Sequence, residues 1–423
     1  MPERTTFDAI VIGGGPAGTT AASILADFGR AVLLLEKHHF PRYRIGESLI
    51  PYCYFPLKRL GLIDKLKNSN FTKKHSVQFV STNGTVSQPF YFFQHYEHES
   101  STTWQVPRDR FDSMMLENAR VKGVDVREGQ KVRELLQEDD RYIGVRVQNG
   151  SDERRDYYAP ITIDASGRES LAVVKNGWRV PDKKLQKVAI WTYYRGAMRD
   201  PGIDEGATTI AYVPEKGWFW YLPLPDDLVS VGVVADKEYL YSETRDPDVI
   251  FKREIENNAW IKSHLAAGQH LGEYRVTGDF SYRSKYCAAD GLILVGDAFA
   301  FLDPVFSSGV FLALVGGELA ADAVEAALKQ NDTSAEQFQQ YSNQVRRGLE
   351  VMRKLVYAFY DPTFNFRELF KKYPDLRADV TDGLIGNLAK DYQRLHAAMA
   401  EYMDVPADLP HGQPMTKVLA EGN

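Results

Sequence analysis

The chain has 423 residues, enough for two or more closely packed domains, and its 44% hydrophobic and 26% charged residues are typical of an ordinary globular protein. A formal net charge of −6 argues against general nucleic-acid binding. The sequence shows no signal-peptide pattern and no uncharged apolar run of the roughly 18 residues that a membrane span needs. We therefore expect a cytoplasmic protein that binds neither nucleic acid nor membrane, with Cys53 and Cys287 as free thiols.

The first elements form a dinucleotide-binding pattern. A buried strand (7–12) enters GGGPAG (13–18), a helix follows (17–29), and a second strand (31–36) ends in an acid. In the GxGxxG spacing the glycines allow a tight turn, the approach of a pyrophosphate, and close packing of helix on strand. Free N–H groups at the helix start attract the diphosphate, and the terminal acid accepts the ribose hydroxyls. The residues assigned to the nucleotide here are Gly13, Gly15, Pro16, Ala17, Gly18, Glu36 and Lys37.

Two later segments bear on which dinucleotide binds. TIDASGRES (162–170) and GLILVGDAFAFLDP (291–304) each carry an aspartate, Asp164 or Asp297, from an apolar strand into a turn of small residues. With Arg108 of VPRDRFD (106–112), they resemble the FAD-contacting motifs of the flavoprotein family that includes aromatic hydroxylases, geranylgeranyl reductases and flavin-dependent halogenases. The resemblance implies bound FAD, with Asp297, directly after Gly296, on its ribityl chain. No second GxGxxG follows a strand, so reduced flavin is expected from a separate flavin reductase, or NAD(P)H binds only transiently.

Four further motifs resemble those of the flavin-dependent halogenases. They are IGESLIP (45–51), similar to the flavin-side strap loop; NFTKKHSVQF (70–79), with a lysine where halogenases carry their essential one; WFWYLP (218–223), similar to the WxWxIP signature; and FLDPVFSSG (301–309), which fits FxxPxxSxG. Taken singly, three of them have ordinary interpretations: WFWYLP as a core strand, Lys73-Lys74 as a solvated surface pair, and the SSG sequence as a helix cap. Their joint occurrence in this order favours a halogenase.

The resemblance implies a chemistry for these residues. A C4a-hydroperoxide of reduced FAD reacts with chloride or bromide, and the resulting hypohalous acid must reach a small aromatic substrate without leaking. Two indoles at positions i and i+2 of one strand share a face and would form a wall between flavin and substrate. Helix N-terminal N–H groups would bind the halide, and the lysine would orient hypohalous acid or form a haloamine. The residues assigned to these roles are Lys74, Trp218 and Trp220 (catalytic), Ser308 and Gly309 (halide), and Gly46, Glu47, Ser48, Pro304, Ser307 and Gly309 (flavin).

Several positions depart from the tryptophan-halogenase pattern. Phe306 stands where those enzymes have a glutamate that helps to deprotonate a weakly activated ring, which favours phenol- or pyrrole-type substrates, either free or tethered to a carrier protein. Leu222, Asn70 and Ser76 also differ. The alternative is an FAD-dependent oxidoreductase of the geranylgeranyl reductase or aromatic monooxygenase type.

The predicted fold is α/β. Residues 1–330 are expected to form a Rossmann-like FAD module of the aromatic-hydroxylase type, interleaved with a large mixed β-sheet on the substrate side. The strands of that sheet are expected from two β-rich insertions, at about 62–105 and 185–277. Residues 331–423 are expected to be helical and to cover the substrate pocket.

Overall fold

Short apolar runs alternate with helical patterns along the chain, and the computed structural model describes residues 5–148, 154–215, 217–278 and 281–416. Within these ranges the strands are β1 (Ala9–Ile12), β2 (Val32–Leu35), β3 (Thr72–Lys74), β4 (Ser76–Val80), β5 (Phe90–Tyr91), β6 (Thr103–Gln105), β7 (Asp125–Arg127), β8 (Lys131–Glu138), β9 (Arg141–Gln148), β10 (Arg154–Tyr158), β11 (Thr162–Asp164), β12 (Arg179–Pro181), β13 (Lys187–Arg195), β14 (Thr208–Tyr212), β15 (Trp218–Leu224), β16 (Leu228–Asp236), β17 (Gln269–Gly278), β18 (Tyr282–Ser284), β19 (Tyr286–Ala289), β20 (Leu292–Leu294), β21 (Ala300–Phe301) and β22 (Gln413–Pro414).

The helices in the same described ranges are α1 (Pro16–Asp27), α2 (Tyr54–Arg59), α3 (Ile63–Lys67), α4 (Phe92–His95), α5 (Arg108–Val121), α6 (Leu171–Lys175), α7 (Lys237–Leu240), α8 (Pro247–Glu256), α9 (Ala259–Leu265), α10 (Gly309–Lys329), α11 (Gln339–Tyr360), α12 (Phe366–Lys372), α13 (Leu376–Ile385) and α14 (Gln393–Met399). None of them is both long enough and apolar enough to cross a bilayer.

The first sheet has the strand order β22-β19-β20-β11-β1-β2-β7, and the run from β20 to β7 is parallel. Its central strands are fully buried because they are covered on both faces. One face carries α1 and α10, which approach closely through small residues: a Cβ on Gly317 would lie 2.5 Å from the carbonyl oxygen of Ala17. The other face packs on the β8–β10 sheet. This layering confirms the predicted α/β fold with a Rossmann-like module.

The second sheet has the order β17-β13-β16-β15-β14-β4-β5 and is mixed, with β4 and β14 parallel. Strand β15 lies in its interior, and every one of its residues is buried. Trp218, Trp220 and Leu222 face one side, and Phe219 and Tyr221 face the other, where α8 and α9 pack. Strands of this sheet come from 62–105 and 185–277, although these segments also contain helices α3, α4 and α7–α9.

From residue 331 to residue 416 the chain is largely helical, and the last residues of the predicted 331–423 segment lie outside the described ranges. Helix α11 ends at Tyr360, before Pro362, and its last turn packs against the tryptophan face of the second sheet through Phe359. Strand β22 then returns to the edge of the first sheet beside β19. The end of helix α11 therefore lies on the tryptophan face of the second sheet.

Candidate active site

A cavity of about 680 Å³ lies between the carboxyl end of the first sheet, the start of α1 and α10, and the tryptophan face of the second sheet. Most of the predicted site residues line it: Gly13, Gly15, Pro16, Ala17, Glu36, Lys37, Gly46, Glu47, Ser48, Arg108, Trp218, Trp220, Asp297, Pro304, Ser307 and Gly309. Five described residues of the predicted set lie outside this lining: Gly18, Lys74, Asp164, Gly296 and Ser308. The carboxyl end of a parallel sheet is where α/β proteins bind ligands.

The start of α1 is open to the cavity. Gly13 has a φ of +106°, and a Cβ there would lie 2.4 Å from the carbonyl oxygen of Ala165, so the turn requires glycine. Gly15 caps α1 without a side chain, which leaves the first N–H groups available to an anion. Gly18 instead allows α1 to pack closely against the glycine turn, because an added Cβ there would lie 2.0 Å from the carbonyl oxygen of Gly13.

Glu36 lies buried at the end of β2 and also lines the cavity. Its two carboxylate oxygens accept hydrogen bonds from the backbone N–H groups of Gly14 and His38, each at 2.9 Å. Lys37 forms an ion pair with Glu169 from the loop after β11. The carboxylate of Glu36 is thus fixed beside the glycine turn and still has lone pairs to offer a hydroxyl group.

Arg108 holds the strap segment 45–48. Its guanidinium donates to both carboxylate oxygens of Asp112, at 2.8 and 3.0 Å, and to the carbonyl oxygen of Ile45 at 2.8 Å. Glu47 then turns into the cavity, where it is 3% exposed and its Oε1 accepts a hydrogen bond from the Tyr193 hydroxyl at 2.7 Å. Burial raises the pKa of Glu47 to about 7, although interactions with the Ser230 and Tyr193 hydroxyl groups oppose the shift.

The two aspartates predicted to contact the cofactor differ in placement. Asp164 is fully buried, and its carboxylate accepts from the backbone N–H groups of Ser166 (3.0 Å) and Ala172 (2.7 Å), so it shapes the 165–169 loop rather than facing the cavity. Asp297 does face the cavity, after Gly296, which supplies a φ of +59°. Desolvation raises the pKa of Asp297 to about 6 against the opposing charge of Arg108.

Three indoles form one wall of the cavity. Trp218 and Trp220 lie with ring centroids 6.2 Å apart, and Trp191 of β13 lies 6.4 Å from Trp220. Each N–H donates to a different hydroxyl group: Trp191 to Tyr43 (2.6 Å), Trp218 to Tyr360 (2.7 Å) and Trp220 to Ser230 (3.1 Å). Buried indoles with satisfied N–H groups are held in fixed orientations, so the wall is rigid.

Gly232 is required for this wall. It pairs with Trp220 across the β15–β16 ladder, and a Cβ there would lie 2.3 Å from the six-membered ring of Trp220 and 2.5 Å from Cβ of Trp191. Gly232 is not predictable from the sequence, because nothing in its local pattern indicates which aromatic ring crosses it. Trp191 belongs to none of the sequence motifs described above, and the structure places it on the cavity wall.

The turn before α10 closes the cavity opposite the glycine turn. Ser307 has a φ of +56°, and buried Ser308 is the residue at which α10 is capped, with no side-chain hydrogen bond. Gly309 faces open space, since a Cβ there would have no neighbour within 4 Å. The first N–H groups of this 21-residue helix therefore form a second site of positive potential.

Lys74 lies behind the strap. It is 1% exposed, and its Nζ donates to Ser48 Oγ at 2.9 Å and to the Leu49 carbonyl oxygen at 3.1 Å. Burial lowers the pKa of Lys74 to about 7. Phe92 of α4 covers it, with Nζ 5.6 Å from the ring centroid, whereas the neighbouring Lys73 points to solvent.

The residues present fit FAD. The cavity joins two helix N-termini, cationic side chains and an aromatic wall, which suit a diphosphate and a flat ring system. In addition, the buried carboxylate of Glu47 faces this cavity and offers acceptor oxygens to a bound group with polar edges.

The family model for the tryptophan halogenases matches residues 8–102 and 93–376 of this chain. The two matched ranges include the glycine turn, the strap, Lys74, the indole wall and the turn before α10. The chain belongs to this family. The predicted membership of the flavin-dependent halogenases is thereby confirmed.

Named halogenases resemble the chain over nearly its whole length. A 1H-pyrrole-2-carbonyl-(peptidyl-carrier protein) brominase of Pseudoalteromonas luteoviolacea is 31% identical, covering 90% of this chain and 92% of that protein. The corresponding chlorinase of Pseudomonas fluorescens is 28% identical, with coverage of 90% and 89%. Among solved structures, the myxobacterial chondrochloren halogenase CndH, described as a variant of FAD-dependent halogenases, has a TM-score of 0.78 and 34% identity, covering 93% of this chain and 97% of that one.

Proposed function

We propose that this halogenase uses reduced FAD, oxygen and chloride or bromide to halogenate an electron-rich aromatic ring. The observation that carries the proposal is the three-indole wall of a cavity of about 680 Å³, with a buried lysine of lowered pKa hydrogen-bonded to the cavity-lining residue Ser48. When bound, reduced FAD supplies the reaction with oxygen that converts halide to hypohalous acid. Because no nicotinamide motif is found in the sequence, a separate flavin reductase would supply the reduced cofactor.

Each group of residues then has a proposed task. The starts of α1 and α10 would bind the diphosphate and the halide, respectively, through backbone N–H groups. The indoles would keep the aromatic substrate away from the flavin ring, while the much smaller hypohalous acid passes from the flavin side to the substrate side. Lys74 would hold hypohalous acid by a hydrogen bond, because Ser48 and Leu49 accept from two of its three N–H donors and no other acceptor is found for it among the described residues.

The proposed substrate is a pyrrole-type ring tethered to a carrier protein. Phe306 offers no carboxylate to assist a weakly activated ring, and it packs on Phe359 with centroids 5.8 Å apart. The two pyrrolyl-carrier halogenases described above match the chain over nine-tenths of its length. Residues 331–416, the described part of the predicted 331–423 segment, would cover the substrate side. Asp382 of α13 pairs with His95 at 2.9 Å, and His95 lies on α4, the same helix that places Phe92 over Lys74.

Product mass tests the proposal. Purified protein would be incubated with FAD, a flavin reductase, NADH, oxygen and either bromide or chloride, in parallel with pyrrolyl-loaded carrier protein and with a panel of free phenols. Replacement of hydrogen by halogen on the tethered pyrrole is the expected result, and halogenation of phenols alone would reassign the substrate. Gain of two hydrogens or of one oxygen, independent of halide, would instead support the reductase or the monooxygenase alternative.

A further inference from the structure

Tyr360, the last residue of α11, touches two separate parts of the cavity lining from behind. Its hydroxyl oxygen lies 2.7 Å from the indole nitrogen of Trp218 and 3.0 Å from Oδ2 of Asp303. An indole nitrogen can only donate, so the Tyr360 oxygen accepts from Trp218 and its own proton goes to Asp303. The three groups form a directed chain of hydrogen bonds from the indole wall to the carboxylate.

Asp303 also connects this chain of hydrogen bonds to the turn before α10. Its second oxygen, Oδ1, accepts from the backbone N–H of Val305 at 3.1 Å and so caps the short helical turn 304–306. The chain then passes through the left-handed residue Ser307 into Ser308 and α10. Pro304, Ser307 and Gly309 line the same cavity as Trp218.

The carboxylate of Asp303 is 0% exposed, so its charge must be stabilised by the groups that donate hydrogen bonds to it or lie close to it. The charged groups that face it are Lys187 of β13, whose Nζ lies 4.1 Å from the Tyr360 ring centroid, and Asp236 of β16, which pairs with Lys187 at 2.7 Å. Desolvation raises the pKa of Asp303 to about 6, with the Tyr360 and Val305 hydrogen bonds opposing the shift. Burial keeps the pKa of Tyr360 well above its usual range, so the phenol remains a donor.

We propose that Tyr360 and Asp303 are positioning residues that lock the Trp218 indole and the 304–309 turn into one geometry. The indole wall and the proposed halide site are then set relative to each other by the end of α11. The consequence for catalysis rests on the proposed function: if the wall were loosened, more of the oxygen consumed would be released as hydrogen peroxide and less halogenated product would form. The hydrogen-bond chain itself does not depend on that function.

The structural half is tested on cofactor-free protein by the ¹⁵N–¹H resonance of the Trp218 indole, assigned with Trp218→Phe. Tyr360→Phe is expected to shift this resonance and to speed its hydrogen exchange at least tenfold. Tyr357→Phe is the matched control, because it removes a hydroxyl one turn earlier that donates to Asp182 at 2.7 Å. An unchanged Trp218 resonance in Tyr360→Phe would overturn the proposal, whether or not the wild type halogenates.

The catalytic half is read as the ratio of halogenated product to hydrogen peroxide in the loaded enzyme. Tyr360→Phe should lower this ratio at least fivefold, while the FAD dissociation constant stays within twofold of the wild-type value. A general loss of folded protein would not lower the ratio while leaving the affinity for FAD unchanged. Asp303→Asn provides the second variant: the wild-type indole resonance should titrate near pH 6, and that of Asp303→Asn should not. A ratio equal to that of Tyr357→Phe, or an identical titration in Asp303→Asn, would remove the pair from the positioning role.

Discussion

The ammonium nitrogen of Lys74 lies 2.9 Å from the hydroxyl oxygen of Ser48. Ser48 follows Glu47 in the strap, and both residues line the flavin-sized cavity, whereas Lys74 does not. Ser48 thus lies between the cavity and Lys74. In a halogenase this placement is needed, because the lysine should act on hypohalous acid away from the flavin.

Lys74→Met is expected to abolish halogenation while the FAD dissociation constant stays within twofold of wild type. The change removes the proposed contact with hypohalous acid but no group on the cavity wall, so kcat should fall without loss of cofactor affinity. Steady-state product formation and FAD titration measure the two effects. Lys73→Met is the control, since that side chain is exposed; comparable halogenation by Lys74→Met and wild type would exclude Lys74 from the mechanism.

Halogenation should decline as pH rises above about 7. Burial lowers the pKa of Lys74 to about 7, so the ammonium form, which has a third N–H to offer hypohalous acid, is lost above that pH. The measurement is product formation from pH 6 to 9 with excess reduced flavin. An increase through pH 7 would indicate instead that the neutral amine reacts to form a haloamine.

The same pKa shift predicts how stability depends on pH. Between about pH 7 and 10.5 the unfolded chain binds a proton at Lys74 that the folded chain does not, so the contribution of this residue to the free energy of unfolding rises with pH. The slope from one such group is about 1.4 kcal/mol per pH unit. Urea unfolding at pH 7.5 and 9.5 should show a smaller increase in Lys74→Met than in Lys73→Met; equal increases would contradict the lowered pKa.

Two glycine substitutions should separate cofactor binding from folding. At Gly15 the one described atom within 4 Å of an added Cβ is Arg42 Nη2, at 3.6 Å. Gly15→Val should therefore fold normally yet fail to take up FAD, because the side chain would fill the space of the pyrophosphate. At Gly18 a Cβ would lie 2.0 Å from a backbone oxygen. Gly18→Val should therefore lower the free energy of unfolding of the apoprotein by about 3 kcal/mol or more. Thermal melting of apoprotein and FAD fluorescence titration distinguish these results; FAD uptake by Gly15→Val would move the diphosphate site elsewhere.

Gly232→Ala should disturb the indole wall directly. Its methyl group would overlap the Trp220 ring, and overpacking of this kind costs about 1–3 kcal/mol of stability. We expect a shifted tryptophan fluorescence spectrum and a lower ratio of halogenated product to hydrogen peroxide. Gly316→Ala is the control, because its Cβ would make only ordinary contacts, at 3.5 Å from Val295; the same spectrum in both variants would show that Gly232 does not place the indoles.

The sequence by itself determined the frame of this protein. A strand, a glycine turn, a helix and an acid follow one another within residues 7–36. Local chemistry specifies the first three: the strand is apolar, the turn needs a glycine with positive φ, and the helix begins without a capping side chain. The spacing of Trp218 and Trp220 likewise placed both indoles on one face, because side chains alternate along a strand. The joint order of the motifs was enough to predict a flavin-dependent halogenase.

Only the tertiary structure decided how these parts meet. Tyr360 is 142 residues from Trp218, and Ser48 is 26 residues from Lys74, separations at which no local pattern specifies a partner. Asp164 had the sequence setting of a cofactor ligand, but backbone N–H groups of its own loop occupy its carboxylate. Strand β22 has two residues, too few for any periodicity, and forms because β19 presents an open edge to it. Hydrogen-bond partners and close contacts depend on which distant elements fold together, and that information is absent from the spacing of residues along the chain.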